Sequence, residues 1–217
     1  MFTGLIETTG KVLSLQPTEG ATRITLVAPQ LAGRWKVGDS IAVNGVCLTA
    51  LLADDETRFA ADLAEETIRR TTLTSLQPGT PINLELPTPA GSPLGGHVVQ
   101  GHVDGTGKLV SLVPLHPDQD TSDWRMTIEI PSTLAPFIVP QGSITIDGIS
   151  LTVAKIDGLH IEIAVIPHTY QATNLHSLAP GSPVNLETDV LSKYAAQRTA
   201  HAAMDWLTLD FILSNGY

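Results

Sequence analysis

Cysteine is almost absent from this sequence of 217 residues, which contains only Cys47. A single thiol cannot form an intrachain disulfide, and it cannot supply the paired cysteines of a structural zinc site. The sequence also has no Asn-x-Ser/Thr acceptor, and residues 1–11 lack the basic start and the apolar run of a signal peptide. Together these absences favour a protein of a reducing compartment, most simply the cytoplasm.

Basic and aromatic residues are also scarce. Lysine and arginine number 12 against 22 aspartates and glutamates, the net charge is -10, and aromatic residues make up 5%. Nucleic-acid binding requires clustered cations and often aromatic stacking platforms, so we expect no nucleic-acid partner. The same acidity argues against an anionic membrane surface, and no stretch approaches the ~20 apolar residues of a membrane helix. Hydrophobic residues, at 42%, are nevertheless sufficient for a packed core.

The common loops that bind phosphates and metals are missing as well. No GxGxxG occurs, and Gly105–Lys108 fails as a phosphate loop because His102 occupies the required earlier glycine position and Leu109 follows the lysine. His97 and His102 are five residues apart, which places them on opposite faces of an extended strand. We therefore expect no metal site, while one of the two imidazoles faces the interior or a cleft. The alternative is that both are ordinary surface or core histidines.

The sequence does contain an internal repeat. Three segments of the first half recur in the second half in the same order, at offsets of 97, 103 and 102 residues. The matched pairs, with six of twelve, five of ten and six of eight residues identical, are 4–15 with 101–112, 40–49 with 143–152, and 78–85 with 180–187. A period near 100 residues is that of a domain rather than of a solenoid repeat, so the chain is a duplicated domain.

The repeat predicts two domains followed by a separate tail. We place an N-terminal domain at residues 1–92, a C-terminal domain at 93–188 and a helical oligomerisation tail at 189–217, with the Pro- and Gly-rich stretch PTPAGSPLGG at the join. Each copy contains short runs rich in Val, Ile, Leu and Thr, which predict an all-β fold with about six strands per copy in a small barrel or sandwich. Asn44-Gly45 and Asp147-Gly148 are typical of tight hairpin turns.

Several elements can be placed individually. Strands are predicted at Arg23–Ala28, Ser40–Val43, Val46–Leu51, Thr127–Ile130, Ser143–Ile146, Ile149–Ala154 and His160–Val165. Glu65–Arg70 predicts a short helix, because acids at its start and bases at its end suit the helix dipole. The alanine-rich stretch Asp189–Met204 predicts a longer helix that Asp189 caps. Its apolar edge, formed by Val190, Leu191 and Tyr194, suits packing on a barrel or on another chain.

Matched positions of the two copies carry different chemical groups. Cys47 corresponds to Ser150, so both copies place a small nucleophilic or hydrogen-bonding group directly before Leu-Thr. Glu66-Thr67 corresponds to His168-Thr169 at the junction between a strand and a helix. Such groups can hold a polyol or the edge of a heterocycle. The alternatives are that Cys47 is a buried filler and that Glu66 and Thr67 cap the helix.

Six motifs, in order along the chain, resemble those of the riboflavin synthase family: MFTGLIE, NGVCLT, DLAEETIRRT, GGHVVQGHVDG, IDGISLTV and IPHTYQATNL. The resemblance implies two tandem six-stranded Greek-key barrels plus a C-terminal α-helix. It implies an enzyme without cofactor that transfers a four-carbon unit between two molecules of 6,7-dimethyl-8-ribityllumazine, yielding riboflavin and a ribitylamino-pyrimidinedione. It further implies a homotrimer, whose active sites lie between the N-terminal barrel of one subunit and the C-terminal barrel of a neighbour. No residue indicates whether a lumazine synthase joins the assembly.

The resemblance also extends to individual positions. Those that the family links to turnover are occupied by Phe2, Ser40, Cys47, His102, Ser150 and Thr152. The expected N-terminal half-site comprises Gly4, Leu5, Ile6, Cys47, Leu48, Thr49, Asp62, Leu63, Ala64, Glu65, Glu66 and Thr67. The expected C-terminal half-site comprises Gly101, His102, Val103, Ile149, Ser150, Leu151, Thr152, Val165, Ile166, Pro167, His168, Thr169 and Tyr170. Asp147 and Asp189 match family acids near the subunit contact, and Gln141 occupies a substrate-site position where many members have lysine.

Two other functions compete with this interpretation. A non-catalytic relative with the same double barrel would bind lumazine or flavin without the paired chemistry. The presence of Cys47, His102 and Ser150 favours the enzyme over that relative. A β-barrel module that binds RNA or protein is the third alternative, and the net charge of -10 and the few aromatic residues oppose it.

Overall fold

Short strands with alternating apolar residues form a six-stranded antiparallel sheet in the first copy of the repeat. The structure is a computed structural model that describes residues 1–51, 55–118, 121–204 and 214. The strands of this sheet are β1 (Thr8–Thr18), β2 (Ala21–Val27), β3 (Ser40–Val43), β4 (Val46–Thr49), β5 (Arg58–Leu63) and β6 (Pro81–Glu85). Their order is β4-β3-β6-β1-β2-β5. Leu51 and Ala60 exchange two backbone hydrogen bonds, so the sheet curls and brings its two outer strands, β4 and β5, together.

The second copy forms a closed barrel with the same connectivity. Its strands are β7 (Gly105–Pro114), β8 (Trp124–Glu129), β9 (Ser143–Ile146), β10 (Ile149–Asp157), β11 (His160–Val165) and β12 (Pro183–Thr188). Their order is β10-β11-β8-β7-β12-β9, so each strand has the same neighbours as its counterpart in the first copy. In both units the last strand lies between the first and the third, which is a Greek-key connection.

Helices complete the fold. The fifth strand of each copy leads into a one-and-a-half-turn helix, α1 (Glu65–Arg70) or α2 (Pro167–Ala172), and α3 (Val190–Met204) follows the second barrel. Short 3-10 turns occur at Pro29–Leu31, Leu73–Ser75, Ala135–Phe137 and Asn174–Ser177. The predicted all-β class with two six-stranded units and a C-terminal helix is confirmed. Within the described residues, no helix has the length and apolarity to cross a membrane.

Each barrel has its own hydrophobic core. Ile24, Leu26 and Leu84 are fully buried in the first, and Met126, Ile128 and Ile163 are fully buried in the second. Alternation along the strands sends every second side chain inward and leaves the intervening one on the outer face. The half-buried outer faces near β4 and β10 are therefore available for a site.

A buried polar network joins the two barrels around an approximate twofold axis. Asn83 Nδ2 donates to the Asp147 carbonyl at 3.0 Å, and the matched Asn185 Nδ2 donates to the Asn44 carbonyl at 2.9 Å. Asn174 Nδ2 also donates to the Asp147 carboxylate at 2.9 Å. Burial raises the pKa of Asp147 to about 6, against the opposing effect of its hydrogen bonds. Asp147 thus lies at the contact between the two barrels of one chain.

The hairpin turns meet at the same axis. Asn44 and Gly45 have φ values of 45° and 78°, and Asp147 and Gly148 have 47° and 80°. Two successive positive φ values are typical of a type I′ turn, as the Asn-Gly and Asp-Gly pairs predicted. The register of β3 with β4 and of β9 with β10 is thereby fixed, which determines where Cys47 and Ser150 point.

Helix α3 packs weakly on its own chain. Its N-terminus is capped as predicted, because the Asp189 carboxylate accepts a hydrogen bond from the Leu191 N–H at 2.9 Å. Lys193 forms an ion pair of 2.7 Å with Asp104. Leu191 and Tyr194 are 67% and 64% exposed, so the described part of the chain leaves this apolar edge uncovered. The predicted tail after residue 204 lies, apart from Ser214, outside the described residues.

Candidate functional site

Two extended segments cross between the barrels, and each carries part of the site. We call residues 1–7, which precede β1, the first lead segment, and residues 97–104, which precede β7, the second lead segment. Phe2 and Val99 pair in antiparallel fashion through two backbone hydrogen bonds of 2.8 and 3.1 Å. The lead segments are thereby held side by side at the junction of the barrels.

The first half-site is a cavity on the outer face of the first barrel. It has a volume of about 400 Å³, and its lining includes Cys47, Glu66, Thr67, His102 and Val103. The Cys47 N–H donates to the Gly101 carbonyl at 2.9 Å, so the second lead segment lies directly against β4. A Cβ on Gly101 would come within 2.6 Å of the Cys47 Cβ, and only glycine permits this contact. The side chains of Cys47 and His102 thus share one cavity.

The second half-site repeats this arrangement on the other barrel. The Ser150 N–H donates to the Gly4 carbonyl at 2.8 Å, and a Cβ on Gly4 would lie 2.6 Å from the Ser150 Cβ. His97 Nδ1 lies 2.8 Å from Ser150 Oγ, and the tautomer decides which group donates. Burial lowers the pKa of the His97 imidazole, with an opposing influence of Asp189. This pairing makes Ser150 a hydrogen-bonded hydroxyl, whereas its counterpart Cys47 is a half-buried free thiol.

The predicted grouping of the lead segments was wrong. We expected Gly4–Ile6 beside Cys47 and Gly101–Val103 beside Ser150. In the structure Gly101 lies beside Cys47, and Gly4 lies beside Ser150. Ile6 packs against the core of the second barrel, and Val103 packs in the core of the first. The pairing of Phe2 with Val99 is the physical reason, because it carries each lead segment across to the opposite barrel before its own first strand begins.

The two histidines go to different half-sites. His97 contacts Ser150 on the second barrel, while the exposed His102 lines the cavity of the first barrel. The expectation that one imidazole faces the interior or a cleft is confirmed. No group of three or more His, Cys, Asp or Glu residues in the described part of the chain is arranged to hold a metal ion.

Several predicted site residues face the barrel interiors instead of the half-sites. Five of them are buried in the two barrel cores, namely Leu48, Leu63, Ile149, Leu151 and Val165. They alternate with outward neighbours, so their role is to fix the backbone of the walls. Phe2 is fully buried as well and packs with Ala42, Val99 and Cys47. The structure therefore places the Phe2 ring behind the thiol, as a support for it.

The start of α1 contributes Glu66 and Thr67 to the first half-site. The N-cap positions are Ala64 and Ile166, and neither α1 nor α2 has a side-chain cap, so the alternative capping role for Glu66 and Thr67 is excluded. Glu66 instead accepts hydrogen bonds from Arg69 and Arg70, and the bond from Arg70 is the main cause of its lowered pKa. The other predicted residues of these turns are the exposed Glu65 and His168 and the half-buried Pro167 and Thr169.

The remaining predicted residues do not line the cavity at Cys47. Asp62 is held by Arg23 through two hydrogen bonds of 2.7 and 2.8 Å, which lower the pKa of its carboxyl. Tyr170 stacks on Trp124 with ring centroids 3.8 Å apart. Ser40 pairs with Thr49, Thr152 pairs with Ser143, and Leu5 is half exposed. Gln141 is exposed at a turn with φ 63°, at the position that Gly38 occupies in the first copy with φ 93°.

Two buried carboxylates were not identified from the sequence. Glu85 accepts hydrogen bonds from the N–H groups of Thr3 and Gly4 at 2.7 and 3.0 Å. Glu187 accepts three, from the N–H groups of residues 100, 101 and 102, at 2.8, 3.0 and 2.9 Å. Burial raises the pKa of both, and that of Glu187 to about 7, although backbone hydrogen bonds oppose the shift. A signal was present, since both glutamates end the most similar repeat segment, PGTPINLE and PGSPVNLE.

We predict that Cys47 and Ser150 cannot be exchanged. Cys47→Ser should keep the fold and lower kcat more than binding, because a hydroxyl is a poorer nucleophile than a thiol. Ser150→Cys should lower kcat as well, because a thiol is a weaker hydrogen-bond partner for His97. The double variant should not recover activity. Steady-state kinetics and ligand titration check this, and full activity of Cys47→Ser would show that a hydroxyl suffices.

Comparison with known proteins gives concordant matches. The Lumazine binding domain family matches residues 3–87 and again residues 100–189. Riboflavin synthase of Mycobacterium tuberculosis (strain ATCC 25618 / H37Rv) is 43% identical, over 89% of this chain and 96% of that protein. Riboflavin synthases of Actinobacillus pleuropneumoniae and Bacillus subtilis (strain 168) are 40% and 34% identical, over 100% of both chains in each case.

Solved structures agree with these matches. LumP complexed with 6,7-dimethyl-8-(1'-D-ribityl) lumazine superposes with a TM-score of 0.76 at 25% identity, over 87% of this chain and 99% of that one. LumP complexed with riboflavin gives a TM-score of 0.78 at 26% identity with the same coverage. The same double-barrel architecture is therefore found in proteins whose structures contain bound lumazine or flavin.

Proposed function

The chain belongs to the riboflavin synthase family, and we propose that it converts two molecules of 6,7-dimethyl-8-(1-D-ribityl)lumazine into riboflavin and 5-amino-6-(D-ribitylamino)uracil. One lumazine gives a four-carbon unit and the other receives it, so the reaction is a dismutation. The riboflavin synthase relatives support the activity, and the lumazine complex of LumP supports the ligand class. We propose that no cofactor takes part, so that the chemistry is that of the substrates and the side chains.

The observation that carries this proposal is the pair of matched half-sites. A reaction between two identical molecules requires two similar sites that hold them together, and the duplicated domain supplies them. Holding both ring systems in reactive geometry removes much of the entropic barrier of a bimolecular step. Cys47 and Ser150 occupy equivalent places, each beneath a glycine of the crossing lead segment.

The half-sites also differ, as a donor and an acceptor must. The first combines a thiol, the imidazole of His102 and the carboxylate of Glu66. The second combines a hydroxyl and the imidazole of His97, and the half-exposed Leu5 occupies the repeat position of His102. Two chemically identical substrates therefore meet different groups, and each is directed toward one role in the transfer.

A direct assay tests the function. Purified protein is incubated with the lumazine, and riboflavin is followed by its absorbance while the uracil product is quantified. We expect one riboflavin and one uracil for every two lumazines consumed. A protein that binds the lumazine stoichiometrically but forms no riboflavin would instead be a non-catalytic double-barrel binder.

We further propose that the complete active site forms between subunits of a homotrimer in the cytoplasm. The first half-site lies on the first barrel and the second on the other barrel, and each is covered by the lead segment that crosses from its partner. In the proposed trimer, the first half-site of one copy faces the second half-site of another. The exposed Leu191 and Tyr194 on α3 give that copy an apolar surface to pack on, and the single cysteine suits a reducing compartment.

Removal of the tail is predicted to dissociate the assembly. Deleting the chain from Asp189 onward should yield monomers, and the double variant Leu191→Ser/Tyr194→Ser should weaken association, because both remove the exposed apolar edge. Sedimentation velocity measures the mass of each variant. Val37→Ser, a change at another exposed apolar residue, is the matched control and should leave the mass unchanged. A truncated chain that still sediments as a trimer would contradict the proposal.

A further inference from the structure

The backbone of each lead segment is held by one buried glutamate. Glu187 lies one residue before the end of β12 and is 2% exposed, and its two oxygens accept from the three successive N–H groups of residues 100–102. Glu85 ends β6, is 4% exposed and receives the N–H groups of Thr3 and Gly4 together with the Thr3 hydroxyl at 2.7 Å. Burying a carboxylate is costly unless such donors satisfy it. A buried glutamate that accepts backbone N–H groups of a lead segment therefore occurs at the matched position of both copies.

Each glutamate acts across the barrel junction. Glu187 belongs to the second barrel, but the backbone that it holds places Gly101 and His102 against Cys47 of the first barrel. Glu85 belongs to the first barrel, but the backbone that it holds places Gly4 against Ser150 of the second barrel. The end of the second lead segment is held as well, because the Asp104 carboxylate accepts a hydrogen bond from the Thr188 N–H at 2.8 Å and forms an ion pair with Lys193.

We propose that Glu187 and Glu85 are positioning residues, which orient the first and the second half-site respectively, each from the opposite barrel. This role rests on the proposed function, since it serves the placing of two lumazines. Neither carboxylate lines the cavity at Cys47, so both act through the lead-segment backbone. The geometry of each half-site then depends more on the acid that holds its covering lead segment than on the other acid.

The single thiol of the chain provides a local reporter for this dependence. Glu187→Gln keeps the size of the side chain but turns one acceptor oxygen into an NH₂ group that faces a backbone donor. We expect Cys47 to react with iodoacetamide at least about threefold faster in this variant, because the covering segment opens more often. Glu85→Gln, the same change in the matched position, should leave the Cys47 rate within about twofold of the parent. The kcat/KM of both variants should fall about 10–100-fold.

The reciprocal experiment moves the reporter to the other half-site. In a Cys47→Ser/Ser150→Cys background the only thiol lies at position 150, and Glu85→Gln should now accelerate alkylation while Glu187→Gln should not. Glu187→Asp and Glu85→Asp, which withdraw the carboxylate by one methylene, are the second variants and should show the same pattern if a glutamine variant does not fold. Equal acceleration by both acids' variants, or none, would overturn the proposal. Alkylation does not depend on turnover, so a parent chain that forms no riboflavin would refute the function and leave this test intact.

Discussion

Gly148→Ala is expected to destabilise the chain by about 2–5 kcal/mol, the largest stability effect that we predict. Gly148 has a φ of 80°, where an L side chain is strained. An added Cβ would also lie 2.6 Å from the Gly45 N and 2.9 Å from its Cα. These are backbone atoms of the opposing hairpin turn, so they cannot rotate away as a flexible side chain would. The two barrels must separate at their axis to admit the methyl group.

The matched control for this prediction is Gly79→Ala. Gly79 has a φ of 88° but no atom within 4 Å of an added Cβ, so alanine there meets the backbone strain alone, about 1–2 kcal/mol. Denaturant unfolding of both variants gives the two free energies. Equal losses of unfolding free energy would show that the barrels adjust to the methyl group without cost, and that the close contact between Gly45 and Gly148 does not add to the backbone strain.

Patterns within a few residues were sufficient to predict part of the fold. The bounds of β3, β9 and β11 agree with the prediction, because alternation and the Asn-Gly and Asp-Gly turns mark their ends. The bounds of α1 agree as well. All of these elements are determined by local turn chemistry and charge placement, which a single sequence displays.

Strands that depend on distant neighbours could not be placed in the same way. We did not locate β1 or β7, since glycines and a proline interrupt their apolar pattern. Position 10 of β1 requires glycine, because a Cβ there would come within 2.7 Å of Leu84 Cδ1 and of the Val27 carbonyl oxygen. Position 107 of β7 requires glycine as well, because an added Cβ would lie 2.8 Å from the Glu129 carbonyl oxygen. Such glycines are required by the close approach of a partner strand, which the sequence does not reveal.

The candidate site was likewise predicted only where it depends on local sequence patterns or on the repeat. The repeat indicated that Cys47 and Ser150 are equivalent, and the structure places them in equivalent surroundings. The repeat also predicted that each copy is complete in itself, with each lead segment on its own barrel. The exchange depends on the pairing of Phe2 with Val99, a contact between segments nearly a hundred residues apart. Glu85 and Glu187 were overlooked for the same reason, because their partners lie in those lead segments.

His102→Gln is expected to lower kcat by about 10²–10⁴-fold with little change in lumazine binding, the largest kinetic effect that we predict. In the proposed reaction, transfer of the four-carbon unit requires removal of a proton from the 7-methyl group of one lumazine. Imidazole is the side chain whose protonation changes near neutral pH, so it can accept that proton and return it. The exposed His102 side chain lines the cavity beside Cys47, while the backbone N–H of His102 donates to the Glu187 carboxylate at 2.9 Å. Glutamine can fill the space and form hydrogen bonds, but it cannot act as a base.

The separate measurement of kcat and of lumazine affinity decides between two roles for His102. A base acts only in the transition state, so its loss lowers kcat and kcat/KM together and leaves ligand titrations near those of the parent. A residue that only positions the ring would show weakened binding with kcat preserved, and that result would reject the base. His116→Gln, a change at an exposed histidine on the loop after β7, is the control and should leave kcat within about twofold. Because His102 and Cys47 lie in one cavity, the double variant His102→Gln/Cys47→Ser should lose less than the product of the single losses.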